Sequence, residues 1–262
     1  MLSIQEVSVT YGKNTSPAVC DVSFEMKKGE IISIVGESGS GKTTVIRAVL
    51  GCLPGGGRVC KGDIQFDGQS LLGYSGEAWR ELRGTKISMI FQDSGAMINP
   101  IRRIGSQYVE YIRTHRKMPK KEAWNMAIEM LKNMRLPDPD NIMRSYPFQL
   151  SGGMRQRVGI AMAMTFEPEL LLADEPTSAL DVTTQAQIVR QMMELRDRYE
   201  TGIIIVTHNL GVAAYMADRI IVMKDGKIVD EGTRDQILHN PASDYTRNLL
   251  DSVPAMGGHR FV

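Results

Sequence analysis

The run Gly36-Glu37-Ser38-Gly39-Ser40-Gly41-Lys42-Thr43-Thr44 carries the clearest chemistry in this chain. Its spacing is G-x-x-x-x-G-K-[ST], and its flanks have the right texture. Glu30 to Val35 reads as a short buried strand, and Thr43 to Leu50 reads as a helix. A strand that feeds a glycine-rich turn opening a helix aims backbone N–H groups and the positive end of the helix dipole at an anion. Glycines let the backbone close on phosphate oxygens without Cβ clashes. In such a loop Lys42 supplies a point charge to the β/γ-phosphates of a nucleotide, and the Thr43 hydroxyl sits on Mg²⁺. The alternative is an accidental glycine-rich turn; strand, loop, lysine and helix in one order argue against it.

Two later stretches add to this. Leu170 to Leu172 run into Asp174-Glu175. An apolar strand ending in Asp puts a carboxylate at the C-terminal edge of a sheet, where Asp174 can hold Mg²⁺ through its water shell. Glu175, one residue on, could orient or deprotonate an attacking water. Taken alone, the pair could be a solvated strand end; the phosphate loop upstream favours the chemical reading. Leu150-Ser151-Gly152-Gly153-Met154-Arg155-Gln156 is the second glycine signal. Ser151 is a good N-cap, and a helical pattern starts at once. Two glycines at a helix start expose N–H groups to a closely approaching anion. The chain thus has two candidate phosphate-binding helix starts, more than one nucleotide obviously needs within one chain.

The elements that must hold these residues follow from pattern. Ile4, Val7 and Val9, then the run from Ala18 to Met26, then Lys61 to Phe66, read as a small and largely antiparallel sheet around the first loop. Residues 93–165 are dominated by helical periodicity, with Ala123, Met126, Ala127, Met130, Leu131 and Met134 on one stripe that ends before Leu136-Pro137. After residue 165 strands alternate with helices again: Leu170 to Asp174, Ile203 to Val206, a helix from about Leu210, and a hairpin turning at Asp225-Gly226. That rhythm implies a mainly parallel α/β sheet. Residues 255–262 read as a loose tail.

Bulk numbers set limits. The 262 residues can bury a large core, and the net charge of +1 gives no global field toward nucleic acid or lipid. Cys20, Cys52 and Cys60 form no C-x-x-C pair and suit a reducing compartment. No secretory leader is visible, and no apolar run approaches the ~18–20 residues of a membrane span. Between Arg102 and Lys121, seven basic residues (Arg102, Arg103, Arg113, Arg116, Lys117, Lys120, Lys121) face one acid, Glu110. This is either a solvated helical face or a face toward a partner near anionic lipid.

Taken together, these motifs resemble the nucleotide-binding subunits of ATP-binding cassette transporters over nearly the whole chain. The resemblance implies an α/β fold: a P-loop NTPase core with a mainly parallel sheet, an N-terminal antiparallel β subdomain and an inserted α-helical subdomain. It implies one ATPase domain over 1–254, with the helical subdomain at about 93–165. It also gives roles to further residues. Tyr11 matches the aromatic that stacks on adenine. Gln92 matches the glutamine that reaches Mg²⁺ and the attacking water. Asp181, closing Ser178-Ala-Leu-Asp, matches the loop lining the subunit interface. His208 matches the histidine that touches the γ-phosphate. Ser151, Gly152 and Gly153 would close over ATP held by the other subunit.

A narrower resemblance is to ATPase subunits of dipeptide, oligopeptide and nickel importers. It rests on Ser145 to Arg157, Ala173 to Thr183 and Tyr245-Thr-Arg-Asn-Leu-Leu250, within a C-terminal segment at about 235–254. Two positions depart from that pattern: Ser243-Asp244 replaces the usual His-Pro, and Ser94 stands where a proline is usual. The cysteine-rich C-terminal extension of many peptide-importer ATPases is not present, so no iron–sulfur cluster is expected, and the shorter form leans toward nickel or metal-chelate importers. The resemblance implies ATP and Mg²⁺ as cofactors. It implies as partners a second ATPase subunit (a non-identical one, or a homodimer in isolation), two transmembrane permeases and an extracytoplasmic substrate-binding protein, with no nucleic acid. The location implied is peripheral, at the cytoplasmic face of the membrane. The competing reading is a soluble cassette ATPase acting on nucleic acid or ribosomes, which usually carries coiled-coil insertions or a second cassette.

Overall fold

The computed structural model describes residues 1–12, 16–92, 97–178 and 180–252, with backbone alone at 255–256 and 259–260. The remainder of the tail expected over 255–262, and Ser94, lie outside the described residues. The chain divides into two compact units, Met1–Trp79 with Gly202–Val262, and Arg80–Thr201.

Among the described residues the first unit holds two larger sheets and, in the tail expected to be loose, a short antiparallel pair of Ala255–Met256 with His259–Arg260. β1 (Leu2–Thr10), β2 (Val19–Met26), β4 (Arg58–Phe66) and β5 (Gln69–Ser70) form an antiparallel sheet in the order β2-β1-β4-β5. Its inward residues alternate, with Leu2, Ile4, Val22, Phe24, Ile64 and Phe66 buried, as expected of a sheet with one apolar face. β3 (Ile31–Val35) is buried at every position and lies parallel to both β8 (Gly202–Thr207) and β9 (Arg219–Lys224). A strand flanked on both sides reads as a continuous apolar run, which is why Ile31 to Val35 has no polar alternation except the fully buried Ser33. β9 returns through Asp225-Gly226 into antiparallel β10 (Lys227–Thr233). Asp225 and Gly226 both have positive φ, 49° and 77°, the geometry that the hairpin signal in the sequence predicts. Helices α1 (Lys42–Val49), α2 (Gly76–Leu82), α8 (Leu210–Met216), α9 (Arg234–His239) and α10 (Asp244–Asp251) complete this unit, apart from the last residues of α2.

The second unit is mostly helical: α3 (Ile104–His115), α4 (Lys120–Asn133), α5 (Pro139–Arg144), α6 (Gly152–Met164) and α7 (Val182–Tyr199). It also contains the parallel pair β6 (Ile87–Ile90) and β7 (Leu170–Asp174). α4 buries Ala123, Ala127, Ile128, Met130 and Leu131, so the predicted stripe holds, with Ile128 added and Met126 only half-buried. The helix stops at Asn133, and Arg135 turns into the left-handed region at φ 50° before the Pro137 that forbids continuation. α6 is buried around much of its circumference, at Val158, Ile160, Ala161 and Met164, which marks it as the helix in the middle of its unit. Tyr108 of α3 is fully buried and shares a 2.8 Å hydrogen bond with Thr165, just past α6. That bond satisfies two hydroxyls that would otherwise be costly inside the core.

Several of the basic residues between 102 and 121 are engaged within this unit rather than simply solvated. Arg102 pairs with Glu110, Arg103 lies over the Tyr146 ring, Arg113 donates to the Met118 carbonyl, and Arg116 lies over Phe166. Long guanidinium stems cover apolar surface while the charge stays wet.

Candidate nucleotide site

The phosphate loop starts where β3 ends. Gly36 has φ 147°, and a Cβ there would strike the carbonyl oxygen of Met223 on β9. Only glycine lets the loop leave the sheet at this point. Gly41 caps α1 at φ 98°. The helix begins with no side-chain cap and no acid in its first turn, so its positive end is left for an outside anion. Lys42 stands at that same end, only 6% exposed. Its Nζ curls into the loop and donates to the Gly36 carbonyl (2.8 Å), the Glu37 carbonyl (2.6 Å) and Ser40 Oγ (3.3 Å). A buried cation beside the positive end of a helix is a setting that suits a phosphate.

Tyr11 and Thr44 lie beside this loop, and His208 follows a neighbouring strand. The Tyr11 and Thr44 hydroxyls share a 3.2 Å hydrogen bond, which anchors the ring beside the first turn of α1. The Tyr11 ring also lies where a Cβ on Gly57 would be. In the parallel register Val35 pairs with Thr207, so the chain leaves β3 at Gly36 and β8 at His208 from the same edge. His208 is exposed, and Asn209 behind it caps α8 by accepting from the N–H groups of Gly211 and Val212.

The second unit carries the carboxylates. Ile90 of β6 pairs with Ala173 of β7, so Gln92 and Glu175 both follow the end of that parallel pair. Asp174 is 4% exposed, and Gln92 Nε2 donates to Glu175 Oε2 at 3.3 Å. Glu175 has φ 45°, a left-handed conformation that costs of order 1–3 kcal/mol in a non-glycine residue and persists only where its surroundings enforce it. The Ser178 N–H and hydroxyl both donate to the Glu175 carbonyl at 3.2 Å, which accounts for part of that enforcement.

The Ser151 turn belongs to the same unit. Ser151 Oγ accepts from the Met154 N–H at 3.2 Å, so the predicted N-cap is present. The two glycines after it serve different ends. A Cβ on Gly152 would meet nothing closer than 3.9 Å, whereas one on Gly153 would lie 2.6 Å from Thr184 Cγ2. Thr184 in turn donates to Asp181, from its N–H at 3.0 Å and its hydroxyl at 2.7 Å. These bonds, the backbone one foremost, hold the Asp181 carboxyl below the usual carboxylate range. Asp181 is therefore the N-cap of α7 in this fold.

Sequence reasoning missed several members of the arrangement. Gln156, buried in α6, donates Nε2 to the Pro176 carbonyl at 2.7 Å and so ties the Ser151 helix to the turn after Glu175. Thr184 links Asp181 to Gly153, and Tyr245 accepts from the Glu37 N–H. A single Gln, Thr or Tyr carries no periodic or spacing signal; only the partner identifies it.

A phosphate-binding loop, a buried strand-end aspartate and a following glutamate define a P-loop nucleotide hydrolase. A model of the ABC transporter family matches residues 19–178, and the chain belongs to that family. It is an ATP-binding and ATP-hydrolysing cassette with the α/β fold described above. It is 45% identical over 260 residues to the dipeptide transport ATP-binding protein DppD of Bacillus subtilis, covering 98% of this chain and 77% of that one. It is 43% identical over 240 residues to the oligopeptide transport ATP-binding protein AmiE of Streptococcus pneumoniae, covering 91% and 68%. Among solved structures, a dimeric ATP-binding cassette in a post-hydrolysis state bound to ADP and Pi superposes with a TM-score of 0.79 at 29% identity, over 89% of this chain and 99% of that one.

Proposed function

We propose that the chain is the ATPase subunit of a peptide import system, pairing with a second cassette ATPase and docking on transmembrane permeases at the cytoplasmic face. Similarity to dipeptide and oligopeptide transport proteins over nearly the full chain carries this reading, and it favours peptides over nickel or metal chelates. No described helix is long and apolar enough to cross a membrane, so the membrane-spanning path would come from the partners. The dimeric state of the similar cassette supports a second ATPase subunit.

The residue roles follow. Lys42 and the amides from Gly39 to Thr44, with Gly36, Glu37 and Ser38 shaping the loop, hold the β- and γ-phosphates. Tyr11 offers its ring to adenine. Glu175 takes a proton from the attacking water, with Gln92 orienting it, and the 3.3 Å bond between the two supports that pairing. His208 donates to the γ-phosphate as charge builds there. Ser151, Gly152 and Gly153 act on ATP held by the other subunit, with Asp181 at the same interface.

Thr43, Gln92 and Asp174 would hold Mg²⁺. Their chemistry fits: one buried carboxylate with a hydroxyl and an amide suits a hard cation that keeps waters and phosphate oxygens as its other ligands. When bound, the ion neutralises charge on the phosphates.

Glu175→Gln tests the assignment. ATP binding should be retained while hydrolysis falls by ~10²-fold or more, the scale of a lost general base. Turnover equal to wild type would remove Glu175 from this role. Uptake of a radiolabelled dipeptide by cells carrying this variant should stop; uptake at the wild-type rate would sink the transport reading.

A further inference from the structure

The phosphate loop is tied to the far end of the chain. The Glu37 N–H donates to the hydroxyl oxygen of Tyr245 at 3.3 Å, across a separation of 208 residues. Glu37 is gripped on its other side as well, because its carbonyl accepts from Lys42 Nζ at 2.6 Å. One loop residue thus links the catalytic lysine to the C-terminal segment.

Tyr245 is itself well fixed. Its own N–H donates to Ser243 Oγ at 3.2 Å, and the Ser243 N–H donates to Asp230 Oδ2 at 2.9 Å. Asp230 is 8% exposed on β10. The inner face of α10 packs Leu250, with Leu249 and Tyr245, into a cluster that includes Ile237, Val222 and Val35. Val35 is the last residue of β3 before the loop, so the same apolar cluster supports both ends of the link. Lys224 Nζ lies 4.8 Å from the centroid of the Tyr245 ring, and cation–π attraction holds the ring at that point. Ring, cap and packing are satisfied within the unit, and the hydroxyl is the group turned to the loop. Burial pushes that hydroxyl up from the ordinary tyrosine range, with the Glu37 N–H opposing and the Glu37 and Asp225 carboxylates adding. It is therefore a neutral oxygen at any working pH.

We infer that Tyr245 is a positioning residue for the phosphate loop: its hydroxyl fixes the Glu37 main chain and, through the Glu37 carbonyl, the resting place of Lys42, so that the C-terminal segment sets the affinity for ATP. The inference rests on the ATPase reading above. It also gives the Tyr245 segment a physical task that the sequence departure at Ser243-Asp244 leaves intact, since Ser243 supplies the cap.

Tyr245→Phe removes one oxygen and keeps the ring, its packing and the Lys224 contact. Glu37 is exposed, so water replaces the lost acceptor, and the melting temperature should stay within about 2 °C of wild type. The Kd for ATP should rise about 3- to 10-fold, the range for one lost hydrogen bond. The kcat at saturating ATP should stay within about twofold, because the bond acts on binding rather than on the chemical step. Amide hydrogen exchange supplies an independent signature: the Glu37 N–H should exchange faster in the variant, while the Val35 N–H should not. Equal ATP affinity in the variant and wild type, or unchanged Glu37 exchange, overturns the inference and leaves the ATPase assignment standing. A wild-type protein that fails to bind ATP overturns both together.

Discussion

Lys42 is a cation buried at the wrong end of a helix dipole, and that is its use. In the folded chain its charge is spread over the carbonyls of Gly36 and Glu37 and the hydroxyl of Ser40. A triphosphate would bring negative charge to a buried cation and to the positive end of α1 together. Lys42→Ala should abolish ATP binding in a calorimetric titration; an affinity equal to wild type would contradict the loop assignment. The glycine-lysine spacing made this legible before any fold was known, since few other uses exist for that pattern between a strand and a helix. The inward curl of the lysine was not legible, because it depends on which carbonyls the loop turns toward it. Nor was the left-handed backbone of Glu175, for which a non-glycine residue gives no sign.

At the scale of elements, the turn from Pro176 to Thr184 is held by unremarkable residues. Gln156 bonds the Pro176 carbonyl, Ser178 bonds the Glu175 carbonyl, and Thr184 satisfies Asp181 while its methyl packs where a Gly153 side chain would go. The Ser151 helix and the Glu175 turn are thus fastened at two points within one unit. Gly153→Ala should destabilise the protein by about 1–3 kcal/mol through overpacking against Thr184. Adding Thr184→Ser, which deletes the methyl and keeps the hydroxyl on Asp181, should recover most of that loss in a urea titration. If the double variant is no more stable than Gly153→Ala alone, the clash is not the reason for glycine here. Strands and helices were readable from periodicity: β3 as an unbroken apolar run, α4 as a stripe, the β9–β10 hairpin from Asp225-Gly226. The fastenings were not, because they join residues whose sequence separation carries no pattern. Asp181 shows the difference: the family resemblance implies an interface residue there, and the fold adds the helix cap that gives it a fixed place.

At the scale of the molecule, the chain has two halves of a machine and a C-terminal segment that braces one of them. Unit one supplies the phosphate loop and His208; unit two supplies the carboxylates and the Ser151 turn. In the function proposed above, the second helix start, at Ser151, serves the nucleotide of a second chain, since one nucleotide per chain needs only one. On that proposal ATP would join two subunits, and loss of its γ-phosphate would let them part. In the absence of permeases, specific ATPase activity should fall on dilution, and a concentration-independent activity would argue against action across subunits. The most direct measurement is the mass of the Glu175→Gln protein by sedimentation, alone and mixed with the second ATPase subunit of its system, with MgATP, with MgADP and without nucleotide. The account expects the mass to double with MgATP only. A protein that binds MgATP yet keeps its monomer mass in both settings would contradict it.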